Sequence, residues 1–302
     1  MAIRANSSEL FELVTAEAEV ERIAAGFQFT EGPVWNGRDG YLLFSDVSGN
    51  ATARWSESEG ARDWRRPSGH SNGLTYDADY RLVACEHDRS VVTRTERDGA
   101  VTVVASHYEG KELNSPNDVV VASDGSIVFT DPHPSGRTAD WGIERPQELD
   151  FQGVFRVPPG GREPILLTAE LEFPNGLCFS PDESRLYVND SWRLEIRVFD
   201  VGADGTLAEN RLFLTEPGSG RFEDGIPDGM KCDERGNLYC TGPGGVWVIS
   251  PAGEHLGTIE TPEPASNMTW GGPDWSTLYI TATHCVYRVR MKVRGAPLAY
   301  MG

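Results

Sequence analysis

No apolar run in the 302-residue sequence is long enough to cross a bilayer as a helix, which takes roughly 20 consecutive apolar residues. The opening stretch, MAIRANSSELFELVTAEAEV, scatters Glu9, Glu12, Glu17 and Glu19 among its apolar residues, so the unbroken apolar core of a secretory signal is missing and a cytoplasmic location is expected. Cysteine is sparse. The five present (Cys85, Cys178, Cys232, Cys240 and Cys285) are odd in number and nowhere spaced C-x-x-C, which argues against a disulfide framework and a structural zinc site. Small, reduced core residues are expected instead. Basic residues are also few, 27 against 46 acidic, and the formal charge of −19 repels phosphate backbones and anionic membranes. Neither nucleic acid nor a membrane is expected as a partner.

What is abundant is turn chemistry, with 33 glycines and 19 prolines between short apolar segments. Those segments repeat. A polar residue followed by a first strand opens EGPVW, NGLTY, NDVVV, NGLCF, DGMKC and NMTWG, beginning at Glu31, Asn72, Asn117, Asn175, Asp228 and Asn267. A second strand comes next as YLLFSD, RLVACE, SIVFTD, RLYVND, NLYCTG and TLYITA, ending at Asp46, Glu86, Asp131, Asp190, Gly242 and Ala282. From first marker to last the offset is 15, 14, 14, 15, 14 and 15 residues, and successive copies start 41, 45, 58, 53 and 39 residues apart. Two further strands complete each copy, as in VVTRTERDGAVTVVA, and four short antiparallel strands per repeat make a propeller blade. The expected fold is all-β, a six-bladed β-propeller. No repeating Gly-His and Trp-Asp signature is present, which argues against the WD type. The sixth copy has no clear fourth strand, whereas VERIAAGF (Val20 to Phe27) precedes the first and is expected to supply it, closing the ring. The division expected is an extension over 1–19, the propeller over 20–295 and a tail over 296–302, with ELFELV as a short helix outside the ring.

In a blade the start of the first strand and the end of the second lie on one face. The six opening residues therefore ring one mouth of the central channel, with Asp46, Glu86, Asp131 and Asp190 in a wider circle. In one blade alone such an Asn or Asp would do no more than bond local backbone; six copies facing one axis point to function. Two carboxylates and four carboxamides offer oxygen and nothing softer, which suits a hard cation. Ca²⁺ accepts carboxylate, amide carbonyl and water together in a shell of about 6–8 ligands. Glu31 and Asp228 would neutralise a divalent charge, and no ring position is the His or Cys that zinc or copper recruits.

The runs EGPVW, NGLTYD, LNSPNDVVVASDGSIVFTDP, PNGLCFSPD and PDGMKCD resemble the motifs of the gluconolactonase and regucalcin-like (senescence marker protein) family of six-bladed propeller lactonases, over nearly the whole chain, from about Phe27 to Val289. The third and fourth runs resemble its bacterial gluconolactonase branch most. The resemblance implies Glu31, Asn175 and Asp228 as direct metal ligands, Asn117 as a further polar residue at metal and substrate, and Asp131 as the acidic residue of that branch. One position departs: where the regucalcin branch commonly carries a substrate-contacting arginine, two residues before Asn117, this chain has Ser115.

The chemistry expected is lactone hydrolysis, with the metal (Ca²⁺ first, then Mg²⁺, Mn²⁺ or Zn²⁺) as Lewis acid and a carboxylate assisting water. Asp228 is the first choice of general base and Asp131 the second. Candidate substrate contacts are Asn117, Asn72, His133 and Trp141. Residues 132–153 and 215–227 are expected as loops over the mouth, with Trp141 and Phe222 as apolar walls and Arg137 or Arg145 offsetting its acidity. A propeller hydrolase of another lactone or a phosphotriester, and a metal-binding scaffold without turnover, are the alternatives. The expected partner is a small lactone, taken by a monomer or a homodimer.

Overall fold

The computed structural model describes residues 2–133, 136–161, 163–215, 218 and 220–301. It is the expected six-bladed propeller: six antiparallel blade sheets, with first strands Thr30–Asn36, Ser71–Tyr76, Val119–Val121, Pro174–Phe179, Met230–Cys232 and Ala265–Gly271, beside a two-stranded pairing of His107–Tyr108 with Lys111–Glu112. The described residues include no α-helix, only the short 3-10 turns Ser8–Glu12 and Phe222–Asp224, and no helix is long and apolar enough to cross a membrane. All five cysteines are buried and unbridged.

Inner strands are apolar on consecutive residues because each is packed between two blades. Val119 and Val121 join Val83, Cys85 and Val92 of the second blade, whereas Val120 joins Leu177, Leu186 and Val188 of the fourth. Side chains alternate between faces along a strand, so both faces of the third blade are core. The outermost strands have one free side and read differently: Gly60–Arg65 is GARDWR, largely exposed.

The ring closes as its sequence pattern requires. Glu21–Ala25 pairs antiparallel with Cys285–Arg290 as the fourth strand of the sixth blade. Upstream, Ile3–Ala5 adds a fifth strand to the fifth blade beside His255–Glu260, covering an otherwise open sheet edge. Ser7 Oγ accepts the Glu9 N–H at 3.2 Å to start the 3-10 turn, and Leu10, Leu13 and Val14 are buried in the core of the fifth and sixth blades. At the far end of the chain, Tyr300 packs edge-on against Tyr76 and Tyr80 at the channel's opposite mouth.

Candidate active site at the channel mouth

Convergence of the opening residues depends on the glycine that follows four of the six, at Gly32, Gly73, Gly176 and Gly229. Gly32 has φ +49° and a Cβ there would stand 2.0 Å from the Asn72 carbonyl oxygen; a Cβ on Gly176 would stand 2.0 Å from that of Asp228. Only glycine lets consecutive blades approach this closely. The contacts are fastened from the second strands: Ser45 Oγ donates to the Asn72 carbonyl and Thr130 Oγ1 to that of Asn175, each at 2.7 Å, and Asn189 Nδ2 donates to that of Asp228. Sequence reading missed Ser45, Thr130 and Asn189. Their signal was the polar residue just before the acid in FSD, FTD and VND.

A cavity of about 200 Å³ opens where the blades meet. Its polar lining is Glu31, Asn72, Asn117, Asn175 and Asp228; its apolar walls are Phe29, Trp141, Phe173, Phe222 and Ile226. Rings of Trp141 and Phe222 lie 4.5 and 5.5 Å from that of Phe29, so both loop aromatics reach the walls as expected. A larger groove of about 710 Å³ lies at the outer edge of the second and third blades, near Val103 and Val157, away from this convergence.

Glu31 Oε2 accepts the Gly32 N–H at 2.5 Å and Asn267 Nδ2 at 2.9 Å. Burial first, then the charge of Asp118, pushes the Glu31 carboxyl up to about 7 against those hydrogen bonds. Burial, then Glu31 and Asp118, holds Asp228 well above the usual carboxylate range. Asn175 Nδ2 donates to Ser191 Oγ at 3.0 Å, and its Oδ1 is buried without a hydrogen-bond partner, as is Asn72 Oδ1. Buried polar oxygens without donors are costly. Two repelling carboxylates beside two such amide oxygens are relieved by one hard cation, so the donor set fits a Ca²⁺-like ion. None of the described residues lining the cavity is His or Cys, the donors that softer metals recruit.

Several predicted residues fall elsewhere. Asn267 is turned to Glu31 and its Oδ1 accepts the Met268 N–H, so it supports a lining residue and is not one itself. Asp131 is fully buried outside the cavity lining, its two oxygens accepting the N–H groups of Asn114 and Ser115 at 2.8 Å. The same bond pattern recurs in other blades: Asp46 accepts from Gln28 and Phe29, and Asp190 from Glu172 and Phe173. In each blade the donors stand three and two residues before the opening residue. These acids therefore set the entry of their own first strand, and a base role for Asp131 loses its geometric support.

His133 is half-buried, its N–H donating to Gln152 Oε1, and it too lies outside the lining. Arg137 and Arg145 do not face the acidic mouth. Arg137 donates to the carbonyls of Leu113, Asn114 and Pro146, and Arg145 to those of His87 and Asp88, while both pair with Glu112. They fasten the loop that carries Trp141. His87 helps: its buried Nδ1–H donates to the Trp141 carbonyl at 2.9 Å, and burial holds the ring neutral, down at about 4. Residues 134, 135, 216, 217 and 219 of the two predicted loops lie outside the described residues.

Residues 29–284 match the family model described as SMP-30/Gluconolactonase/LRE-like region. The chain is 36% identical to a gluconolactonase of Zymomonas mobilis, over 96% of this chain and 86% of that protein. It is 28% identical to a regucalcin of Xenopus laevis, covering 86% and 85%. Among solved structures, a gluconolactonase of Xanthomonas campestris superposes with a TM-score of 0.88 at 35% identity, over 96% of this chain and 94% of that one.

Proposed function

The chain belongs to the SMP-30/gluconolactonase/LRE-like family, and on that footing we propose that it hydrolyses a neutral sugar lactone, such as gluconolactone, to the open acid. The observation that carries this reading is the meeting of Glu31, Asp228 and the partnerless Asn175 Oδ1 in one small cavity walled by aromatics. Its volume of about 200 Å³ lies below the roughly 300–1,000 Å³ of drug-sized sites, which favours one small ring.

Glu31, Asn175 and Asp228 would hold a divalent cation, Ca²⁺ before Mg²⁺, Mn²⁺ or Zn²⁺. When bound, such an ion supplies Lewis acidity toward the lactone carbonyl. The chain's own residues do the rest. Asn72 and Asn117 offer amide groups to ring hydroxyls, and the faces of Trp141 and Phe222 cover the apolar face of the sugar and exclude water. Asp228 accepts the proton of the attacking water as the new C–O bond forms. The ring C–O bond then breaks, and that proton passes to the departing ring oxygen, giving the hydroxy acid.

The lining also bears on substrate charge. None of the described residues lining the cavity is Lys or Arg, and the two nearby arginines are committed to loop carbonyls and Glu112. An anionic lactone would meet Glu31 and Asp228 with no cationic side chain in the cavity lining to offset them. Glucono-δ-lactone is therefore expected to be opened with a kcat/KM about 100-fold above that of the same lactone phosphorylated at its 6-hydroxyl, since like-charge juxtaposition costs several kcal/mol. Proton release above the spontaneous rate measures both. A neutral lactone left unopened would sink the lactonase reading; equal rates would remove only the charge selectivity.

A further inference from the structure

After the opening residue, four repeats carry glycine (Gly32, Gly73, Gly176 and Gly229) and the sixth carries Met268. The third carries Asp118, the one charged residue at this position. Its side chain is buried; Oδ1 accepts the Val119 N–H at 2.9 Å, and Oδ2 is buried with no hydrogen-bond partner. Lys231 Nζ stands 4.0 Å from that oxygen and donates to the Met230 carbonyl at 2.9 Å. Asp118 belongs to the third blade and Lys231 to the fifth, so this ion pair spans the channel past the fourth. It lies deeper than the cavity: Asp118 follows Asn117 directly, and Lys231 is three residues past Asp228. Below it, Lys231 lines a small void of about 40 Å³ together with Val119, Leu74, Trp270 and Tyr300. The pair separates the polar mouth from the apolar plug formed by the chain's C-terminal residues.

We infer that this axial pair sets how tightly the mouth holds its cation, Asp118 strengthening the hold as a third negative charge behind Glu31 and Asp228, and Lys231 weakening it. The inference rests on the metal site proposed above. In a buried setting a unit charge is felt across several ångströms, because the effective dielectric is far below that of water. The pair is placed to act on the site: Asp118 directly follows Asn117 of the cavity lining, and a Cβ on Gly73, next to the lining residue Asn72, would stand 2.8 Å from Asp118 Oδ1. Neither residue lines the cavity, so both act through the ligands as positioning residues.

Calorimetric titration of Ca²⁺ into chelator-stripped protein tests this. Asp118→Asn is expected to weaken binding about tenfold or more and Lys231→Met to tighten it by a similar factor, whereas Lys231→Arg keeps wild-type affinity. A purely structural pair gives no such opposite signs. Thermal melts verify that each variant folds, and Lys231→Gln replaces Lys231→Met if the latter does not. Wild-type binding with both neutral variants shifted the same way, or neither shifted, overturns the inference and leaves the metal site standing. A wild-type chain that binds no Ca²⁺ overturns the proposed Ca²⁺ site and this inference together.

Discussion

Asp228→Asn is expected to lower kcat for lactone opening by about 10³-fold, within the range for loss of a general base. Asn keeps the shape of the side chain but can neither accept a proton from water nor offer full charge to a cation. The fold should not suffer. Asp228 is buried, and Glu31 and Asp118 repel its ionised form, so neutralising it removes an unfavourable interaction from the metal-free protein. The metal-free variant should accordingly melt at or above the wild-type temperature. Turnover and melting read on the same preparation separate a lost base from a lost fold. Full activity in the variant would end the catalytic assignment.

The second large effect should come from a residue with no side chain. Gly176→Ala places a methyl 2.0 Å from the Asp228 carbonyl oxygen and 2.9 Å from Gly229 Cα, both backbone atoms that cannot rotate away. The fourth and fifth blades must part where Asn175 and Asp228 meet. Activity is expected to fall about 100-fold, because ligand and base lose their alignment, with a melting temperature several degrees lower. An alanine variant with wild-type rate would mean that close approach of these two blades is not what makes the site.

Much of the architecture was legible because the repeat is regular. Six near-equal marker offsets, and a fourth strand missing at one end and present at the other, carry the blade count and the closure. The mouth was legible in part. Glu31, Asn72, Asn117, Asn175 and Asp228 do share a cavity, but Asn267 opens its repeat at the same offset and turns to Glu31 instead. Whether an amide faces the axis or a neighbour depends on the adjoining blade, which lies some 40 residues or a whole ring away.

The wider circle of acids shows the limit more sharply. Asp46, Asp131 and Asp190 end their strands in identical patterns, and a carboxylate there serves a substrate or its own blade's backbone equally well in sequence terms. The hydrogen bonds to residues three and two before each opening residue decide for backbone. Arg137 and Arg145 misled for a related reason. Cations near an acidic mouth look like counter-charges, yet a long loop has carbonyls to satisfy and a guanidinium with five donors suits that task.

Hydrolysis of glucono-δ-lactone by chelator-stripped protein, measured by proton release with Ca²⁺, Mg²⁺, Mn²⁺ or Zn²⁺ restored singly, is the decisive test of a metal-dependent lactonase. The expected result is a rate at the spontaneous background without metal and enzymatic opening on adding back a divalent ion, strongest with Ca²⁺. Undiminished opening by the stripped protein would contradict the metal site, and no opening with any of the four ions would contradict the lactonase itself.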